Sequence, residues 1–126
     1  MRDQIDCRVG SGEHLRFALF KEGRPLSPMG GNYLYVKEAE DGAIHVIYAG
    51  QADNLALHAQ SRWAEAQAGF GAQALYTRLN ITAVVRRREH VELLEALEPP
   101  MNADEPRPPA RARGASGEDG AAQGGF

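Results

Sequence analysis

The chain has 126 residues, 43% hydrophobic and 25% charged, with a net charge of −3, the balance of one compact globular domain rather than a fibrous protein. It has no run of about 18 apolar residues to cross a bilayer, and its single cysteine, Cys7, excludes an internal disulfide. The charged start MRDQIDCRVG lacks the apolar stretch of a signal peptide, so a cytoplasmic location without a membrane partner is expected.

Residues 14–20 alternate Leu15, Phe17 and Leu19 with His14, Arg16 and Ala18, the period-two pattern of a half-buried strand. A loop holding Pro25, Pro28, Gly30 and Gly31 leads to a second strand over 33–37. Glu40, Asp41 and Gly42 make a turn, and the apolar, β-branched run 44–49 returns as an antiparallel hairpin partner that ends at Gly50. Asp53 is placed to cap a helix reaching to about residue 68, in which Leu55, Ala59, Trp63 and Ala66 form one apolar stripe, with Gly69 near its end. Residues 74–81 offer Leu75, Tyr76 and Leu79 for a further strand. Over 86–97, Val91, Leu94 and Leu97 recur at helical spacing until Pro99 and Pro100 stop the helix.

From Ala103 onward Pro, Gly, Ala and charge dominate. Such a segment buries too little apolar surface to offset its ordering entropy, so a disordered tail is expected over 103–126. The order of strands and helices predicts an α+β fold, a small mixed or antiparallel sheet flanked by helices. An N-terminal strand and loop (1–30) would precede a core domain (31–102).

Two short stretches stand out within that core. Gly31-Asn32-Tyr33-Leu34-Tyr35 lies on one strand, and Tyr48-Ala49-Gly50-Gln51-Ala52-Asp53-Asn54-Leu55 follows the hairpin. The chain then closes with Leu93-Leu94, Leu97 and Pro99-Pro100-Met101-Asn102. In order and spacing this resembles the GIY-YIG nuclease family over about residues 31–102. The resemblance implies a β-β-α-β-α core, here with an extra strand in front. It also implies a divalent metal, magnesium or manganese, held by a glutamate on the last helix. An arginine on the first helix and the motif tyrosines would complete the site for hydrolysing a phosphodiester. Metal and guanidinium would neutralise charge developing on phosphate, while a tyrosine hydroxyl orients or deprotonates the attacking water.

The sequence departs from that pattern at its two most important positions. The family's arginine falls on His58, and the position one turn later, often histidine in the family, is Arg62. Residues four apart share a helix face, so Arg62 is a candidate for the same phosphate, the plainer reading being a solvated surface residue. The family's glutamate falls on His90. Glu89 lies one position away, rotated by about 100° around the helix. An imidazole is a poor magnesium ligand, so the metal site is expected to be weakened or altered, with Glu89 or His90 its remaining protein ligand if any. His58 and His90 facing one pocket would form a two-imidazole site; two unremarkable partly exposed histidines are the alternative.

Tyr33, Tyr48 and Asn102 match retained positions of the family. As ordinary structure they would be cross-strand aromatics and a helix-terminating residue. Gly50 is the motif glycine, and Gln51 stands where a lysine is frequent and can still hydrogen-bond a phosphate. Arg86, Arg87 and Arg88 form the most basic point of the chain, either a phosphate-contacting group or a solvated face paired with Glu89 and Glu92.

The resemblance therefore implies a domain that acts on or binds nucleic acid, DNA being favoured, with impaired or altered metal-dependent hydrolysis. Two other readings stay open: an active divergent endonuclease in which Arg62 replaces the clamp, and a protein-interaction module whose tail recruits a partner.

Overall fold

The computed structural model describes residues 1–106. Its first two strands are β1 (Gln4–Arg8) and β2 (His14–Leu19), which pair antiparallel with Ile5 opposite Phe17 and Cys7 opposite Leu15. These four side chains are buried on one face while their neighbours along each strand meet solvent. The single N-terminal strand expected from sequence is thus a hairpin. β1 was not anticipated because its alternation rests on only Ile5, Cys7 and Val9 among charged residues.

β3 (Gly31–Glu38) and β4 (Ile44–Ala52) form the expected second hairpin. β5 (Ala74–Leu79) inserts between the two hairpins, giving the order β1-β2-β5-β3-β4 with every pairing antiparallel. β3 is accordingly a central strand, buried on both faces from Gly31 to Val36. Opposite it, β4 carries one extra residue: Tyr35 pairs with Tyr48 and Val36 with Val46, which leaves Ile47 as a β-bulge. The bulge turns Ile47 to the face that Tyr48 already shares with Tyr33 and Tyr35.

The helix expected over 53–68 is two helices, α1 (Leu55–His58) and α2 (Trp63–Phe70). The Tyr35 hydroxyl causes the break: it donates to the carbonyl of Ala59 (2.8 Å) and accepts from the amide of Arg62 (3.2 Å). Those backbone groups are thereby partnered outside a helical ladder, and the chain tightens through bonds from Ser61 to His58 and from Trp63 to Gln60. The apolar stripe survives the break, since Leu55, Ala59 and Ala66 are all buried. Asn54 caps α1 through its side-chain oxygen on the Leu57 amide, in place of Asp53. α2 ends one residue past Gly69, at Phe70, and is closed by Gly71, whose φ of 73° is the left-handed turn that glycine adopts without strain.

α3 (Ala83–Leu97) starts one turn earlier than the apolar spacing indicates and lays Leu93 and Leu94 over Ile5, Leu15, Phe17, Leu34 and Tyr76. The opposite sheet face holds a second cluster, in which Tyr33, Tyr35, Ile47, Tyr48 and Leu75 pack with Leu55, Ala59 and Ala66. The result is an α+β fold with helices on both faces of one antiparallel sheet. Pro99 then leads into a 3₁₀ turn, Pro100–Asp104, that buries Met101 in the second cluster. The boundary expected at Asn102 falls inside this turn, and residues 103–106, expected as tail, belong to the folded part because Asp104 and Glu105 bind side chains of the core. The remainder of the expected disordered tail, 107–126, lies outside the described residues. Among the described residues no helix is long and apolar enough to cross a membrane.

Candidate functional site

The floor of the site is aromatic. Tyr33 pairs with Gly50 across the hairpin, and its ring lies over that glycine so closely that a Cβ there would overlap it. Tyr48 stacks on Tyr35 at 5.2 Å and stands 6.1 Å from Tyr33, while Trp63 meets Tyr35 edge-on. Regular pairing of Tyr33 with Gly50 and of Tyr35 with Tyr48 makes this grouping possible, and the bulge adds Ile47 to the same face.

Arg62, at the start of α2, lies over this floor with its guanidinium carbon 5.2 Å from the centre of the Tyr48 ring, a cation–π arrangement. Its Nε and Nη2 donate to Glu65 at 3.0 and 2.6 Å. Nη1 and Nη2 donate to Asp104 at 3.2 and 2.9 Å, and Nη1 donates to Glu105 at 2.8 Å. The Tyr48 hydroxyl donates to the same Glu105 oxygen at 2.7 Å. Asn102 is fixed to β4 by a reciprocal pair of bonds: its Oδ1 accepts from the Ala49 amide at 2.8 Å and its Nδ2 donates to the Ala49 carbonyl at 2.9 Å. That Nδ2 also donates to the second Glu105 oxygen at 3.1 Å. Three separate donors thus converge on one carboxylate.

Beside this cluster is a cavity of about 210 Å³ whose wall includes His90, Leu94, Glu98, Asn102, Ala103 and Glu105. Nδ1 of His90 is buried there without a hydrogen-bond partner among the described residues. Burial pulls the His90 pKa below its ordinary 6.5, an effect that the Glu105 charge partly offsets.

The other expected residues are elsewhere. Glu89 is buried against the strands, where it accepts from Arg78 Nε at 3.0 Å and from Asn80 Nδ2 at 2.9 Å. It therefore stabilises α3 on the sheet and is not placed to hold a metal with His90. Asn80 also donates to Asn32, and Asn32 donates to the Arg86 carbonyl, so a polar network joins β3 and β5 to α3. Arg86 belongs to this network rather than to an exposed basic face: it is buried, and its Nη1 donates to the carbonyls of Asn80 and Ile81, both at 3.1 Å. Arg87 and Arg88 are exposed, and Gln51 is half-buried opposite Asn32. His58 is exposed at the end of α1 and is not part of the cavity wall that holds His90. Because the helix breaks after His58, the stacking of His58 under Arg62 expected for a continuous helix does not form, nor does a two-histidine pocket.

The donors and acceptors define what chemistry is available. Burial raises the pKa of Tyr48, and its hydrogen bond to Glu105 raises it further. Burial likewise raises Tyr33, against the smaller opposing effect of hydrogen bonds with Ser61 and Tyr48. These phenols stay protonated and serve as donors, not as bases toward water. Cys7, the sole thiol, is buried in the other cluster and pushed up to about 11 by that burial, so it offers no nucleophile. The residues do not fit a resident magnesium ion. The register position is an imidazole, Glu89 is held by Arg78, and Glu105 already accepts from three donors. No group of three His, Cys, Asp or Glu among the described residues is arranged to hold a metal. What remains is a set of converging donors, one guanidinium, one phenol and one amide, that meet the oxygens of Glu105.

Glu65, Asp104, Glu105 and Tyr35 were not among the residues that sequence reasoning singled out. The available signal for two of them was the acidic pair Asp104-Glu105, one residue beyond Asn102, hidden by the tail-like composition that follows. No family model matches the chain, and neither a curated protein nor a solved structure matches it.

Proposed function

We propose that this chain is a GIY-YIG-type domain that binds nucleic acid, DNA foremost, with the family's metal-dependent hydrolysis impaired or altered. The reading is carried by one observation: Tyr48, Arg62 and Asn102, from three separated stretches of the chain, aim hydrogen-bond donors at a single pair of anionic oxygens. A phosphodiester presents the same chemistry, two acceptor oxygens bearing a negative charge. Tyr33 and Gly50 support it by holding Tyr48 in place, and exposed Arg87 and Arg88 supply further cationic contacts. The replacement of the family's glutamate by His90, and the engagement of Glu89 by Arg78, support the loss of ordinary magnesium chemistry.

Fluorescence anisotropy with labelled duplex, single-stranded and four-way-junction DNA at low salt tests this. Binding that weakens with added salt and is lost in Arg62→Ala is the expected result. No binding to any of these DNAs, by either the unaltered chain or Glu105→Gln, overturns the reading. Plasmid incubated with magnesium or manganese then separates lost hydrolysis from altered hydrolysis.

A further inference from the structure

Glu105 lies where the anion of a ligand would lie. Its Oε2 accepts from Tyr48 and Arg62, and its Oε1 accepts from Asn102. Beside it, Asp104 takes the Nη1 and Nη2 edge of the same guanidinium, the two-pronged geometry by which arginine grips phosphate. With Glu65 on the remaining edge, three carboxylates surround one cation.

These carboxylates are not equivalent. Glu65 is local to Arg62, three residues along α2. Asp104 and Glu105 arrive from beyond α3, at the end of the 3₁₀ turn, and their side chains remain 60% and 33% exposed. All three share one guanidinium, so Asp104 and Glu105 divide its charge with Glu65. The rest of the site does not depend on them. Asn102 is tied to Ala49 by two bonds of its own, Met101 is buried, and Tyr48 is stacked on Tyr35.

We propose that Asp104 and Glu105 form a self-supplied plug, which occupies the anion site of Tyr48, Arg62 and Asn102 until the phosphate of a nucleic-acid backbone displaces it. The proposal rests on the reading above and adds to it a closed resting state. Displacement leaves Arg62 with Glu65 alone, so two negative charges leave the vicinity of the incoming phosphate. A site that is open only part of the time binds with its affinity reduced by the open fraction.

The test uses the full chain with Glu105→Gln, Glu105→Ser and, as a control matched in charge, Glu65→Gln. Each is titrated with inorganic phosphate at constant ionic strength, followed by the NMR signal of the Arg62 Nε–H group, and with labelled junction DNA. Both Glu105 variants are expected to bind phosphate and DNA about tenfold tighter or more, the change produced by a plug closed about nine-tenths of the time. Arg62→Ala added to either variant should remove the gain, and Glu65→Gln should give less than half of it. Equal gains from Glu65→Gln, or unchanged affinity in the Glu105 variants, overturns the plug. So does metal-dependent plasmid nicking by the unaltered chain that Glu105→Gln abolishes, which would make Glu105 a reacting group. Tighter phosphate binding with no DNA binding overturns the nucleic-acid reading and leaves the plug standing. DNA bound equally by the unaltered chain and the Glu105 and Glu65 variants, and lost with Arg62→Ala, does the reverse.

Discussion

Tyr33 and Gly50 face each other across the β3–β4 hairpin, and the tyrosine ring fills the space in which a side chain at residue 50 would begin. The glycine of the second motif is therefore required by the tyrosine of the first. Gly50→Ala should cost about 1–3 kcal/mol, the range for overpacking a close-packed site. Urea denaturation measures it. Tyr33→Phe should give no relief, because the ring itself is the obstacle. Tyr33→Ala combined with Gly50→Ala should be less destabilising than the sum of the two single changes.

The Tyr35 hydroxyl provides a second test. It partners two backbone groups at the joint between α1 and α2. Tyr35→Phe should lower stability by about 1–3 kcal/mol, since it leaves both groups without that partner in a buried place. Hydrogen exchange at the Arg62 amide should accelerate with it, while exchange in β1 and β2 stays unchanged under conditions that leave the fold intact.

The three consecutive arginines should separate cleanly. Arg86→Ala should destabilise the fold by about 1–3 kcal/mol through loss of its bonds to the carbonyls of Asn80 and Ile81. Arg87→Ala and Arg88→Ala should each stay within about 0.5 kcal/mol of the unaltered protein. In DNA titrations across salt concentrations, each of these two should reduce the slope by about one phosphate contact. A stable Arg86→Ala protein would contradict the buried network.

His90 predicts an acid-sensitive stability. Its folded pKa lies below 6.5, chiefly through burial, so on acidification the unfolded chain takes up this proton first. Stability is then lost as pH falls below about 6.5 and levels off once the folded form is protonated too. Thermal melts from pH 7.5 to 5 should show that loss, and His90→Gln should remove this part of it. Asp104 acts in a lower window: its hydrogen bond to Arg62 holds its pKa below 3.8, so its contribution disappears only as pH falls through that lowered value.

Much of the architecture could be read from local patterns. Alternation at Leu15, Phe17 and Leu19 marked β2, and the run after Gly42 marked β4 as a hairpin partner. Counting back from Asn102 placed His90 on the side of α3 that lines the cavity with Asn102. What escaped depended on contacts distant in sequence. The stripe Leu55, Ala59, Ala66 was sound, but the break within it is made by Tyr35 from another strand. Arg86 resembled its two neighbours as a residue type, and only its position on α3 turns it inward. Glu105 was obscured by composition, because averaging over a polar segment cannot reveal one carboxylate that meets three fixed donors.

The closeness of Glu105 to His90 restricts what residue 90 can become. Both line one small cavity, and the charge of Glu105 is felt at His90. With Glu105 in place, a change of His90→Glu would set two carboxylates against each other in a confined space, where the one neighbouring guanidinium, Arg62, is already shared among three acidic side chains. The same change after loss of Glu105 meets no such opposition. His90→Glu should therefore destabilise the chain less when Glu105→Gln is already present.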